Sequence, residues 1–425
     1  MTNRPTSALI LATAAAVAGT ATHAGAQDQC EWTLEETLRV GSIDGDDALS
    51  GVLDLDIGPD GMLYVAEQFV PHITVFTPDG RPSHTIGRAG SGPGEFDLSA
   101  VSLGWRQDTL WATDRATTHF FPPDGTDPRQ VEFRIPRPHE GSRLIPRRPL
   151  ADGTFLARRC AMTAGGGSME DFFGAERLPV LRVSASGRIV DTVDTIALAR
   201  QQMSVGIDHG SRRGIGYAEH PLNGSWKGFA RFTPSIDGSS IFMIGEIRDE
   251  VRPASFDLLQ IDLSGDTLME RTIQYEPRPV TDRDRTWLTE RFASNQAGDY
   301  DDDSRTSPFP PRDEAARERD RRAARESITF PEHHPPVRDI VAGDDGTIWM
   351  LRELDIPDLV DRWEVYGPTG ELEGTVLIRE GRSARAPWYP RLNVLHATRD
   401  ELWGTTLGEF DVPYIHRYRV DAGCR

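Results

Sequence analysis

"VLDLDIGPDGMLYVAEQFVPHITVFTPDG", residues 52 to 80, decides how the rest of the chain is read. Apolar residues alternate with polar ones up to Ile57, and a Pro-Asp-Gly turn follows. A second strand is expected around Leu63 to Ala66, and a third from Ile73 to Phe76 before another Asp-Gly turn. Short alternating runs separated by Asp-Gly signal antiparallel hairpins. Next comes "IGRAGSGPGEF", residues 86 to 96, which is rich enough in glycine to suggest a phosphate loop. Such a loop needs a following Lys-Ser or Lys-Thr and a helix. Here Glu95 and Phe96 lead into another strand, so the stretch reads as a connector.

The pattern then repeats. "AVSLGWRQDTLWATDRATTHFFPPDG", residues 100 to 125, brings the turn at Asp60 back at Asp108, 48 residues on. The strand-turn-strand unit continues at 144–159, 230–246, 337–353 and 392–407, which makes six units. Third strands follow at 180–187, 257–265, 363–370 and 414–420. A spacing of this size filled by about four short strands is the mark of a propeller blade. The last unit lacks a fourth strand, and "WTLEETLRVGS", residues 32 to 42, lacks a partner. Closing the ring with this N-terminal strand removes the open sheet edge. The fold expected is all-β, a six-bladed β-propeller of four-stranded antiparallel blades. The closure sets Cys30 beside Cys424, at the ends of neighbouring antiparallel strands, so a disulfide between them is expected. It would close almost the whole chain, worth about 5 kcal/mol in the chain-entropy model. Cys160 is left over, expected to be buried and inert.

"DIGPDGMLYVAEQFVPHITVFTPDG" followed by "IGRAGSGPGEF" resembles the NHL-repeat type of six-bladed propeller. Those repeats read as a strand with an Asp-Gly turn, "LYVAD", an Arg-containing "RIQVF" strand and a "GSGPGQF" connector. The resemblance is close over residues 52 to 126 and loosens afterwards. Glu67 stands where the family has Asp, and the Arg before the third strand is absent, with His72 and His119 near its place. The chain is similar to poorly characterised exported bacterial propellers more than to enzymes of the superfamily.

Residues 1 to 26 read as a secretory signal peptide, with Arg4, an apolar run from Ala8 to Gly19, and Ala24-Gly25-Ala26 before the cleavage point. That run is too short to span a bilayer, and no later segment is long and apolar enough. An exported, periplasmic or extracellular, monomeric protein is expected, with residues 27 to 425 forming the propeller. The formal net charge of −19 becomes one unit more negative without Arg4 and disfavours nucleic acid and anionic lipid as partners. Only Lys227 among the 47 basic residues is a lysine.

Three stretches break the strand spacing: 160–178, 198–228 and 276–336. The last is a helical, charged insertion between blades four and five. Thr281 is placed to cap a helix burying Trp287, Leu288 and Phe292. In "RDEAARERDRRAARES", 312 to 327, Asp313 with Arg317 and Glu318 with Arg322 have i,i+4 spacing, as expected of a solvated helix or a lid.

Catalytic motifs are lacking: there is no Gly-x-Ser-x-Gly, His-Glu-x-x-His or Cys-x-x-Cys. "FPEHHPPVRD", 330 to 339, offers Glu332, His333 and His334 just before the inner strand of blade five. Imidazole and carboxylate suit a transition metal. His333, His334 and His396 are therefore the candidate metal ligands, with Asn393, His209 and His220 as further partners. Adjacent residues of an extended segment point to opposite sides, so at most one of His333 and His334 faces the axis. No cofactor is expected beyond such a divalent metal, and no catalytic residue is assigned. The expected function is an exported binding or scaffold propeller acting on an unknown small ligand or protein through its channel mouth and inserted loops. The alternative is a lactonase-like or metal-dependent propeller hydrolase or lyase with its site at the channel mouth.

Overall fold

The computed structural model describes residues 30–114, 117–123, 127–132, 142–161, 177–197, 205–209, 212–216, 232–297, 314–328, 330–355, 360–381 and 391–423. The Asp-Gly turns organise the strands. Asp60, Asp152, Asp237 and Asp345 each accept, on a side-chain oxygen, the N–H two residues onward, at 2.9 to 3.1 Å. The glycines that follow have φ of 76°, 80°, 69° and 82°. Asp supplies the local acceptor and Gly tolerates the left-handed backbone, so the same hairpin forms each time.

The chain starts with β1 (Glu31–Val40). One antiparallel sheet follows from β2 (Val52–Ile57), β3 (Leu63–Glu67), β4 (Ile73–Phe76) and β5 (Pro82–Ile86). The glycine-rich stretch holds β6 (Arg88–Ala89) and β7 (Glu95–Phe96), paired in parallel. Gly87 has φ 87°, and a Cβ there would stand 2.5 Å from the Phe96 ring. The Glu95 carboxylate takes the Arg88 Nε–H and the Gly92 N–H, both at 2.9 Å. The stretch is a connector folded around a buried Phe96.

Three more sheets have the same form: β8 (Ser102–Arg106) to β9 (Thr109–Thr113), β10 (Thr117–Phe121) and β11 (Arg129–Glu132); β12 (Ser142–Pro149) to β13 (Phe155–Ala161), β14 (Arg177–Val183) and β15 (Ile189–Ala197); and, after a hairpin of β16 (Val205–His209) and β17 (Arg212–Gly216), β18 (Phe232–Pro234) to β19 (Ser240–Arg248), β20 (Ala254–Asp262) and β21 (Thr267–Tyr275). Two helices follow, α1 (Asp282–Ala297) and α2 (Glu314–Ser327). The remaining strands are β22 (Asp339–Ala342), β23 (Ile348–Asp355), β24 (Val360–Tyr366), β25 (Leu372–Ile378), β26 (Asn393–Ala397), β27 (Glu401–Leu407) and β28 (Pro413–Asp421).

These last strands do not separate into two sheets. They form one eight-stranded sheet in the order β22-β23-β24-β25-β1-β28-β27-β26. The cause is β1, which runs antiparallel to β28 from Thr33↔Asp421 to Val40↔Ile415, as the closing-strand reading requires. It also touches β25 in parallel through Glu31↔Thr375 and Trp32↔Val376. The fold is thus four separate four-stranded sheets plus one nearly closed sheet, in a propeller-like arrangement. The first strands of the sheets are the inner ones: β2 lies beside β8 and β26, and β22 beside β26 and β18.

The insertion packs into the sheets. Leu288 and Phe292 of α1 and Ala324 of α2 join Trp32, Trp349, Trp363 and Val394 in one buried cluster. Thr281 caps α1 as expected, its Oγ1 accepting the Asp284 N–H while the Asp284 carboxylate takes the Thr281 N–H. The ion pairs of α2 differ from the i,i+4 expectation. Arg321 pairs with Glu318 and Glu314, and Arg325 reaches across to Glu290 of α1. With Ala324 and Asp320 buried, α2 is a docked helix rather than a solvated one. Asp313 lies outside the described residues. Cys30 is disulfide-bonded. Cys424 and the side chain of Cys160 lie outside what the structure describes.

Candidate functional site

Inner strands of a propeller leave one backbone edge facing the channel, and its N–H groups need acceptors. Carboxylates on those strands meet part of that need. Asp54, Asp56 and Asp339 each accept the N–H of the residue that follows, at 3.2, 2.9 and 2.9 Å. The other oxygen of Asp54 takes the Leu103 N–H of β8 at 3.2 Å. Asp56 faces the opposite neighbour, and its Oδ1 lies 3.0 Å from Nδ1 of His396 on β26.

His396 is therefore a joint between the first and last inner strands. Asp344, in the turn after β22, adds a second carboxylate 3.9 Å from the same nitrogen. Burial alone would lower the His396 pKa, but the Asp56 hydrogen bond and the Asp56, Asp344 and Glu401 charges raise it above the ordinary value. Asp344 is raised in turn, by burial first, with Asp56 adding to the effect. An imidazole flanked by two carboxyl groups can hold or pass a proton.

His334 sits elsewhere. It precedes β22, whereas Asp344, the neighbour of His396, follows it. The two histidines thus lie at opposite ends of one inner strand, and the sequence expectation that they share a site with His333 is not what the fold places together. His334 is buried, with Nε2 3.2 Å from Asp284 Oδ2 of α1. Burial pushes its pKa down to about 4 despite that carboxylate, with Arg278 and Arg338 pushing the same way. His333 makes an isolated bridge to Pro279. The Val280 N–H bonds to Glu332 O and the His334 N–H to Arg278 O, so this pairing closes the base of the insertion. Among the described residues, no three His, Cys, Asp or Glu side chains gather as a metal set. Asn393 donates to Thr405 Oγ1 at 3.4 Å. The side chain of His209, and all of His220, lie outside the described residues.

A further polar pair recurs where the second and third strands face each other. Glu67 accepts from Thr74 Oγ1 at 2.7 Å, Asp114 lies 3.7 Å from His119, Arg352 pairs with Glu364 at 3.2 Å, and Thr406 meets His416 at 2.8 Å. The register puts Thr74 opposite Val65, His119 opposite Ala112, Glu364 opposite Met350 and His416 opposite Gly404. These are equivalent positions in four repeats, although no two share the same residues. The arrangement is propeller-like.

No protein-family model matches the chain, and no curated protein sequence does. Among solved structures, it is similar to a protein of Bacteroides fragilis named as exported, at 11% identity and TM-score 0.40, covering 93% of this chain and 96% of that one. It is also similar to a DUF4221 family member from Bacteroides vulgatus, at 7% identity and TM-score 0.44, covering 92% and 99%. A third is regucalcin from Agrobacterium tumefaciens, described as calcium-binding, at 9% identity and TM-score 0.36, covering 91% and 95%.

Sequence reasoning reached His396 and His334 but missed the carboxylates that define them. Asp56 stands four residues before Asp60 and Asp344 stands beside Asp345, so both were hidden within motifs already explained as turns. Asp284 was hidden behind the capping role of Thr281. No helix among the described residues is long and apolar enough to cross a membrane.

Proposed function

We propose that the chain is an exported six-bladed β-propeller that binds a small ligand or a protein at the end of its channel opposite the Asp-Gly turns. The eight-stranded sheet counts as two blades in this reading. Among the described residues its halves are antiparallel throughout and meet through two parallel residue pairs. Residues 1 to 26 are the export signal, Cys30 pairs with Cys424, and the protein works as a monomer.

The observation that carries binding over turnover is the separation of the nominated histidines. His334 is held by Asp284 and His396 by Asp56, each in a joint between elements, at opposite ends of β22. The docked insertion supports the same reading, because it gives the loop end a fixed surface. A propeller hydrolase or lyase is the alternative, and the imidazole between Asp56 and Asp344 is the feature that favours it.

The test is a ligand screen by thermal shift on the purified mature protein, run beside turnover assays on lactone, ester and uronate-polysaccharide substrates. A ligand that raises the midpoint saturably, with no turnover, is expected. Turnover lost in His396→Gln, with the fold intact by circular dichroism, would replace the binding reading with the enzyme one.

A further inference from the structure

The end of the molecule away from the Asp-Gly turns carries three exposed apolar side chains unused by anything described above. Phe410 is 76% exposed, Phe69 59% and Ile43 54%. They lie on three loops, 408–412, 68–72 and 41–51, that are bonded into one structure. The third loop begins where Val40 pairs with Ile415, just after the Phe410 loop. It ends where the Gln68 N–H donates to Gly51 O at 2.8 Å and Ser50 Oγ to Gln68 O at 2.9 Å. Within it, Asp47 takes the Gly41 N–H and the Ser42 hydroxyl, at 3.1 and 2.5 Å. Loop 41–51 therefore spans from one phenylalanine loop to the other.

Both phenylalanines sit in the left-handed backbone region, Phe69 at φ 62° and Phe410 at φ 58°, with Asp411 also at 58°. Bulky side chains are rare there, and the conformation is unfavourable. Asn or Gly would meet the loop's needs at less cost. Large apolar side chains kept both exposed and strained point to a use outside the fold.

Charge selects the partner. The three loops contain five carboxylates and neither lysine nor arginine. Arg39, at the end of β1, stacks over the Tyr414 ring at 3.9 Å, so this cation is engaged at the base of the surface. A second copy would set these carboxylates against their own kind, and an anionic bilayer would repel them. A basic segment with aromatic or aliphatic side chains satisfies both the rings and the rim.

We propose that the surface formed by Ile43, Phe69 and Phe410 docks a polypeptide segment in which arginine or lysine alternates with apolar residues. This deepens the binding reading above and rests on it. The probe is a short synthetic peptide alternating arginine with leucine and tryptophan, with a glutamate-for-arginine version as control, titrated calorimetrically into the mature protein. One-to-one binding that weakens with added salt is expected for the arginine peptide alone. The Phe69→Gly/Phe410→Gly double variant should weaken it at least about tenfold while its thermal midpoint does not fall, since glycine relieves the backbone. Equal affinity in the variant overturns the surface but leaves the binding reading standing. A lower midpoint would make the rings structural and overturn the inference. Binding to neutral phosphatidylcholine vesicles that requires the two rings, or a ring-dependent dimer in sedimentation, would overturn it in favour of a membrane or a second copy. Cleavage of the peptide would overturn the binding reading itself.

Discussion

His396 and His334 are both buried and both face a carboxylate, yet they should respond to pH in opposite directions. Asp56 favours the charged form of His396, whose folded pKa lies above the ordinary value. The stability it contributes is complete below about pH 6.5 and fades as pH rises through the folded pKa. His396→Gln is expected to destabilise by about 3–5 kcal/mol in mild acid, because the buried Asp56 carboxylate loses its cation. In urea melts the gap from the parent protein should narrow as the buffer becomes alkaline, and a gap that widens would refute the assignment. His334 is pushed down to about 4 by burial. Stability there is complete above about pH 6.5 and is lost as the pH falls towards the folded value. His334→Gln should therefore make the protein less sensitive to acid, read as a smaller loss of melting temperature on acidification.

The elements show which features were legible in the sequence. The Asp-Gly hairpins were legible because they are local: one side chain and one glycine fix each turn. The glycine-rich connector was recognised by what it lacks, and Glu95 and Phe96, which argued against a phosphate loop, are the residues that fold it. Thr281 was legible for the same local reason. Thr281→Ala should cost about 1 kcal/mol. The docking of the insertion was not legible, because a charge-rich stretch looks solvated until its few apolar residues are seen to share one side. Ala324 and Leu288, both fully buried, carry that contact. Leu288→Ala should cost about 2–5 kcal/mol in chemical denaturation, and a cost under 1 kcal/mol would mean a loosely held insertion. The candidate site fared worse for a related reason. His396 pairs with a residue 340 positions away, and no local pattern encodes such a partner.

At the scale of the whole molecule, the closing strand is the decisive feature. Trp32 is buried against Trp349 with ring centroids 6.3 Å apart and, through β1, ties both halves of the large sheet. Trp32→Ala should cost about 3–5 kcal/mol. The chain has three cysteines, and Cys30 is disulfide-bonded. Thiol titration of the denatured, unreduced protein should find a single free thiol, belonging to Cys160, with peptide mapping returning Cys30 linked to Cys424. Reduction should lower the melting temperature, as expected for a cross-link spanning nearly the whole chain.

The pairing of β1 also sets a timetable. This strand is made long before its partner β28; Thr37 bonds to a carbonyl 380 residues away. Contacts of such high order form late and slowly. The large sheet can therefore be completed only after β28 has been made. A chain cut short anywhere before Asp421 would leave β1 wholly or partly unpaired, an exposed edge that proteases and chaperones recognise. Pairing of β1 with β28 thus reports that every strand between them has been made.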